Sequence, residues 1–225
     1  MPDDRVGVGA HLVDVVRERA AALVSALRDG HPVRTTGGDA DPSLVAATRV
    51  LGADVLAPCT LLGHEPAAGD VALARAAVVA FPVEAGSSVT SAWTHWGLRA
   101  ALRSLERGAS EVEPPTAAWV RDEPWPVLAH RLAGVAALAV PGWRSAPAAE
   151  AAERVPDVAR GFVRAVRRRD WLQAAGTGRW LAVLGGVPDS LGLDAGLRFV
   201  AHLAAGDARV ELQVAAARVI REAGA

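Results

Sequence analysis

Lysine, asparagine and tyrosine are absent from this chain, and Ile220 is its only isoleucine. All four residues are written with AT-rich codons, so their scarcity reflects a GC-rich coding sequence. The consequence is chemical: every side-chain cation is an arginine, and an arginine here says less than usual about bidentate anion recognition. No phosphate loop that needs lysine can be built. Cysteine is limited to Cys59, which excludes an intramolecular disulfide and any zinc site made of thiolates.

Other absences narrow the function. The six histidines stand at positions 11, 31, 64, 95, 130 and 202, so no pair shares a helical face at four-residue spacing. No metal and no cofactor are expected. No Gly-x-Ser-x-Gly elbow occurs. Gly7-Val8-Gly9 and Gly176-Thr177-Gly178 lack the third glycine and the preceding strand of a dinucleotide loop, and the second reads as a close-packing point or weak point of a helix. The polar, acidic start of the chain lacks the order of a signal peptide. The longest unbroken apolar stretch, residues 132–140, is too short to span a bilayer. A cytoplasmic address and no membrane partner follow as expectations. A net charge of -1 gives no global field toward nucleic acid.

What is present is helical periodicity. A hydrophobic fraction of 51% over 225 residues is enough to bury a core and rules out a disordered chain. In residues 11–29, Leu12, Val16, Ala20, Leu23 and Leu27 form one apolar stripe. Residues 35–42 read as a loop, and Asp41-Pro42 as an N-cap followed by the favoured first helical residue. A helix runs to Leu51, and another over 53–62 bends near Pro58. Asp70 is expected to cap the run 71–83, read as helix because of its alanines, with a strand as the competing reading. Ser87 or Ser88 caps a long helix to Arg107, ended by Gly108, and 111–115 is a linker. Thr116 to Arg121 forms a short turn. Pro124-Trp125-Pro126 opens a helix to Val140, Pro147 a short one to Arg154, and Asp157 caps one to Arg169. Asp170 caps the next, to Leu184. Helices over 193–205 and from Asp207 to Glu222 close the chain.

The prediction is all-α: a multi-helix bundle or short α-solenoid of about eleven helices. It forms a single helical domain over 1–225, with two lobes, 1–110 and 115–225, as the alternative. The ending carries one resemblance. Two helices joined by Ala205-Gly206-Asp207, the second with an acidic cap, apolar residues and then Ala215-Ala216-Ala217, resemble a HEAT-type helical repeat over the last thirty-five residues or so. The resemblance implies stacked helix pairs that bind another macromolecule.

Two clusters could carry function. On the long helix, Leu98, Ala101, Leu102 and Leu105 are assigned to one side, and His95, Arg99, Arg103 and Glu106 to the other. Trp96 falls with the polar group and Trp93 at the border. Trp96 could stack on a flat ligand while Arg99 and Arg103 hold an anion, with His95 as catalytic acid or base. Solvated arginines and a covered tryptophan are the plainer reading. The second cluster is Arg160, Arg164, Arg167 and Arg168, a basic stripe extended by Arg169 and assigned opposite Phe162, Val163 and Val166. It could contact an acidic partner, or simply complement its helix dipole. A thiol nucleophile at Cys59, beside His64 and Glu65, is a third and weaker arrangement. Most of the seven tryptophans read as packing residues at helix junctions.

The expectation is therefore a non-catalytic helical scaffold or adaptor for a protein partner. The alternative is a small all-helical enzyme or ligand-binding protein, whose Trp/His/Arg pocket would take an anionic or aromatic small molecule.

Overall fold

The computed structural model describes residues 3–30, 41–106 and 113–224. Among them there are twelve α-helices, three 3-10 turns and no strand. The chain divides into two compact units, residues 1–112 and 113–225. The expected loop at 35–40, the end of the long helix at Arg107-Gly108 and the start of the linker at 111–112 lie outside the described residues.

The N-terminal unit holds α1 (Asp3–Asp29), α2 (Pro42–Leu51), a 3-10 turn (Gly52–Leu56), α3 (Ala57–Leu62), α4 (Ala68–Ala80) and α5 (Val89–Ser104). Asp41 caps α2 as its sequence suggests, accepting from the Ser43 backbone N–H at 2.8 Å. The expected bend at Pro58 is instead a change of helix type: the 3-10 turn ends and Pro58 enters the first turn of α3, where a missing N–H costs nothing. The run 71–83 is helical as far as Ala80 and contains no strand. Its buried residues Asp70, Leu73, Ala74 and Ala77 recur at helical spacing and meet α2 and α5. The helix stops before Pro82, which disfavours helical geometry at Phe81.

Asp70 is not the cap of α4. The helix begins two residues earlier, and Asp70 lies buried in its first turn, paired with the equally buried Arg19 of α1. The stretch Pro42–Leu62 is long and apolar enough, by length and composition, to cross a membrane, but its most apolar part is mostly buried within the protein. Thr48, Arg49 and Asp54 interrupt its apolar residues.

The C-terminal unit is a bundle around one buried helix. It holds α6 (Ala118–Asp122), α7 (Trp125–Gly134), a 3-10 turn (Ala136–Leu138), α8 (Ala146–Ala152) and α9 (Val155–Arg167). These are followed by α10 (Trp171–Val183), a 3-10 turn (Asp189–Leu191), α11 (Leu193–Leu203) and α12 (Ala208–Ala223). Helix α10 is packed by α7, α9, α11 and α12, and every residue from Ala174 to Leu181 is buried. That explains its weak amphipathicity: a helix covered all round has no polar face.

Gly176 and Gly178 are close-packing points. A Cβ on Gly176 would sit 2.9 Å from the Ala133 backbone, and one on Gly178 would sit 2.7 Å from Leu197. The polar groups sealed in with α10 are satisfied. Trp180 Nε1 donates to the Leu132 carbonyl at 2.7 Å, and Arg179 donates to Ala139 and Gln213.

Helix α9 begins at Val155, so Asp157 is a first-turn residue rather than its cap. It anchors Arg154, whose Nη1 donates to the carbonyls of Val120, Arg121 and Glu123 at the end of α6. One guanidinium thus closes a helix terminus that has no glycine. The caps at Ser88, Ser145, Asp170 and Asp207 all accept backbone N–H bonds. The last two helices touch, but α12 lies mainly on α10.

Candidate functional site

The first cluster is on α5. Trp96, Arg99 and Arg103 are half-buried on one flank, as their spacing requires. His95 is not with them. It precedes Leu98 and Leu102 by three and seven residues, which places it on their face, and it is buried. Trp93, read as a border residue, is fully buried and meets Trp96 edge to face, with ring centroids 5.2 Å apart.

The surroundings of His95 suit a neutral ring. Burial pushes its pKa below 6.5, the nearby Arg49 and Arg99 guanidinia lower it further, and a hydrogen bond to the Phe81 backbone opposes them. Its Nδ1 is buried without a hydrogen-bond partner. Arg49 is committed elsewhere, donating to the Ser91 carbonyl at 3.0 Å and to Ser91 Oγ at 2.7 Å.

A base whose folded pKa is depressed favours folding above its unfolded pKa. The unfolded chain takes up a proton near pH 6.5 that the folded chain refuses, so stability falls as pH drops below that value. Urea midpoints at pH 7.5 and 5.5 should therefore separate more for the natural chain than for His95→Gln, which keeps an N–H donor for Phe81. Equal separations would show that His95 is not the titrating group.

Cys59 is half-buried, and its thiol pKa is raised by burial and then by Asp70 and Glu65. An activated nucleophile needs the opposite shift. Among the described residues no group of three or more His, Cys, Asp or Glu side chains is placed to hold a metal ion.

The second cluster is on α9. Arg160, Arg164, Arg167 and Arg168 all line an open groove of about 700 Å³. Its other walls are apolar: Trp125, Pro156, Ala159 and Val163, with Pro188 and Leu191 contributed by the connection between α10 and α11. The Arg164 guanidinium lies over the Trp125 ring, 5.4 Å from its centroid. Val163, assigned opposite the stripe, lines the groove with it. It is three and four residues from Arg160 and Arg167, and therefore flanks them on the helix surface.

Arg160 pairs with Asp157 at 3.2 Å, a carboxylate already held by Arg154. Arg164, Arg167 and Arg168 are exposed and make no ion pair among the described residues.

The end of α9 is unusual. The Asp170 N–H bonds the Ala165 carbonyl and the Arg169 N–H bonds that of Val166, the double closure in which glycine normally occupies the left-handed position. Here that residue is Arg169, with φ of 58°, the one non-glycine residue with positive φ among those described. Its conformation costs about 1–2 kcal/mol relative to glycine.

Sequence reasoning found the arginines but not the walls. Trp125 read as a junction residue, and Pro188 and Leu191 come from a break with no periodic signal. A second cavity, of about 440 Å³, adjoins Trp143 and Ser145 at the start of α8. None of His95, Trp96, Arg99 and Arg103 lines either cavity. Comparison of the chain with protein-family models, with curated proteins and with solved structures found no match.

Proposed function

We propose that the chain is a non-catalytic helical adaptor that docks a protein partner in the groove beside α9. The observation that carries this reading is the groove itself, where apolar walls and a tryptophan adjoin three exposed arginines that lack acidic partners among the described residues. An aromatic anchor with arginines around an apolar floor is the composition of protein-binding hot spots. A dipole role alone would concentrate cations in the last turn, whereas Arg160 lies well before it. A HEAT-type repeat over the last two helices would belong to the same class of function.

A photo-crosslinking amino acid at position 191 tests this in cells that make the protein. A single protein adduct is expected from position 191, none from the exposed position 218 outside the groove, and none when Arg164 and Arg168 are both reversed to Glu. No adduct at 191 would overturn the reading. So would stabilisation by a metabolite that is lost in Trp96→Ala, which would place function on α5 instead.

A further inference from the structure

Resting on that reading, we infer that the segment received by the groove is an acidic amphipathic helix. It would seat one bulky apolar side chain against Trp125 and aim carboxylates at Arg164, Arg167 and Arg168.

Charge complementarity sets the sign. Arg164, Arg167 and Arg168 project beside one apolar trough and form no ion pair among the described residues, while Arg160 shares Asp157 with Arg154. The row continues in Arg169, where a cation occupies a backbone position that glycine fits better. Strain retained next to a site is a pointer to use of that site.

The walls argue for a helix. An extended peptide would bring unpaired backbone N–H and C=O groups onto an apolar surface. Among the described residues there is no strand edge to receive them. A helix satisfies its own backbone. Its carboxylates at four-residue steps advance about 6 Å per step, the same advance that separates Arg160, Arg164 and Arg168 along α9.

Polyanions fit less well. They would meet the arginines but leave the trough of Val163, Pro188 and Leu191 unfilled. The chain as a whole carries a net charge of -1 and offers them no long-range attraction.

Fluorescence anisotropy on the full chain tests this with a labelled synthetic helix of about eighteen residues, roughly five turns. It carries Glu at every fourth position beside a Leu/Phe stripe. Its analogues carry Gln or Lys in place of Glu. The Glu peptide should bind at least about tenfold tighter than the Gln peptide, and the preference should shrink as salt is raised. Reversing Arg164 and Arg168 to Glu should invert the order, so that the Lys peptide binds best. Trp125→Ala should weaken the Glu peptide by about tenfold, with the circular dichroism spectrum unchanged.

Equal affinity for Glu and Gln peptides would overturn the inference. So would tighter binding of a single-stranded oligonucleotide or of anionic phospholipid vesicles through the same arginines, which would name a polyanion as the occupant. If position 191 crosslinks a protein and the Glu peptide fails to bind, docking stands and the acidic helix falls. If position 191 crosslinks nothing, docking itself falls.

Discussion

Gly161→Ala should destabilise the C-terminal unit by about 2–3 kcal/mol, although alanine is the better helix former by about 1 kcal/mol. The reason is a contact. A Cβ on Gly161 of α9 would stand 2.2 Å from the Cβ of Ala129 on α7, so the two helices must separate to admit it. Interiors are packed too densely to absorb that shift locally. The companion change identifies the cause. Ala129→Gly alone should cost about 1 kcal/mol through helix propensity. In the double variant, Gly161→Ala with Ala129→Gly, the alanine has only moved across the interface, and most of the lost stability should return. Chemical denaturation of the four proteins gives the coupling directly. Additive losses would mean that the two helices do not touch at this point.

The second large effect is in the N-terminal unit. Asp70→Ala should cost about 3–5 kcal/mol, because it leaves the Arg19 guanidinium, only 6% exposed, without its carboxylate. Arg19→Met should be destabilising in the same way, because it removes the guanidinium that pairs with buried Asp70. Replacing both, Arg19→Met with Asp70→Leu, removes both charges and fills the space with apolar groups. It should be closer in stability to the natural chain than either single variant, since a buried pair gains little over an apolar isostere while half of one is costly. Thermal or urea unfolding reads this out. A double variant as unstable as the sum of the singles would mean that the two side chains are not coupled, and that neither single loss comes from breaking this pair.

These residues mark the boundary of what the sequence discloses. The stripe of α1 was legible because Val16, Ala20, Leu23 and Leu27 repeat at helical spacing, and all four are buried. The caps at Asp41, Ser88, Asp170 and Asp207 were legible because their chemistry is local. Asp70 and Asp157 look the same in sequence as true caps. Arg19, the partner of Asp70, is brought to it only by tertiary packing; Arg154 is near Asp157 in sequence, but the Val120, Arg121 and Glu123 carbonyls that hold its guanidinium are not.

The same limit applied to the candidate sites. The arginine row on α9 is one helical face, so periodicity found it. The trough beside it needs Trp125 from one helix and Leu191 from a distant connection, and only folding brings them together. On α5 the difference was angular: three- and seven-residue steps from Leu98 and Leu102 carry His95 inward, away from Trp96, Arg99 and Arg103.

The central claim is that the arginines of α9 serve binding rather than stability. The most direct measurement pairs the unfolding free energy of the variant with Arg164 and Arg168 both changed to Glu against the adduct formed from position 191 in the same variant. A loss of about 1–2 kcal/mol from the helix terminus is expected, with the adduct abolished. A large loss of stability with the adduct intact would contradict it, and would make the row a structural feature of the bundle.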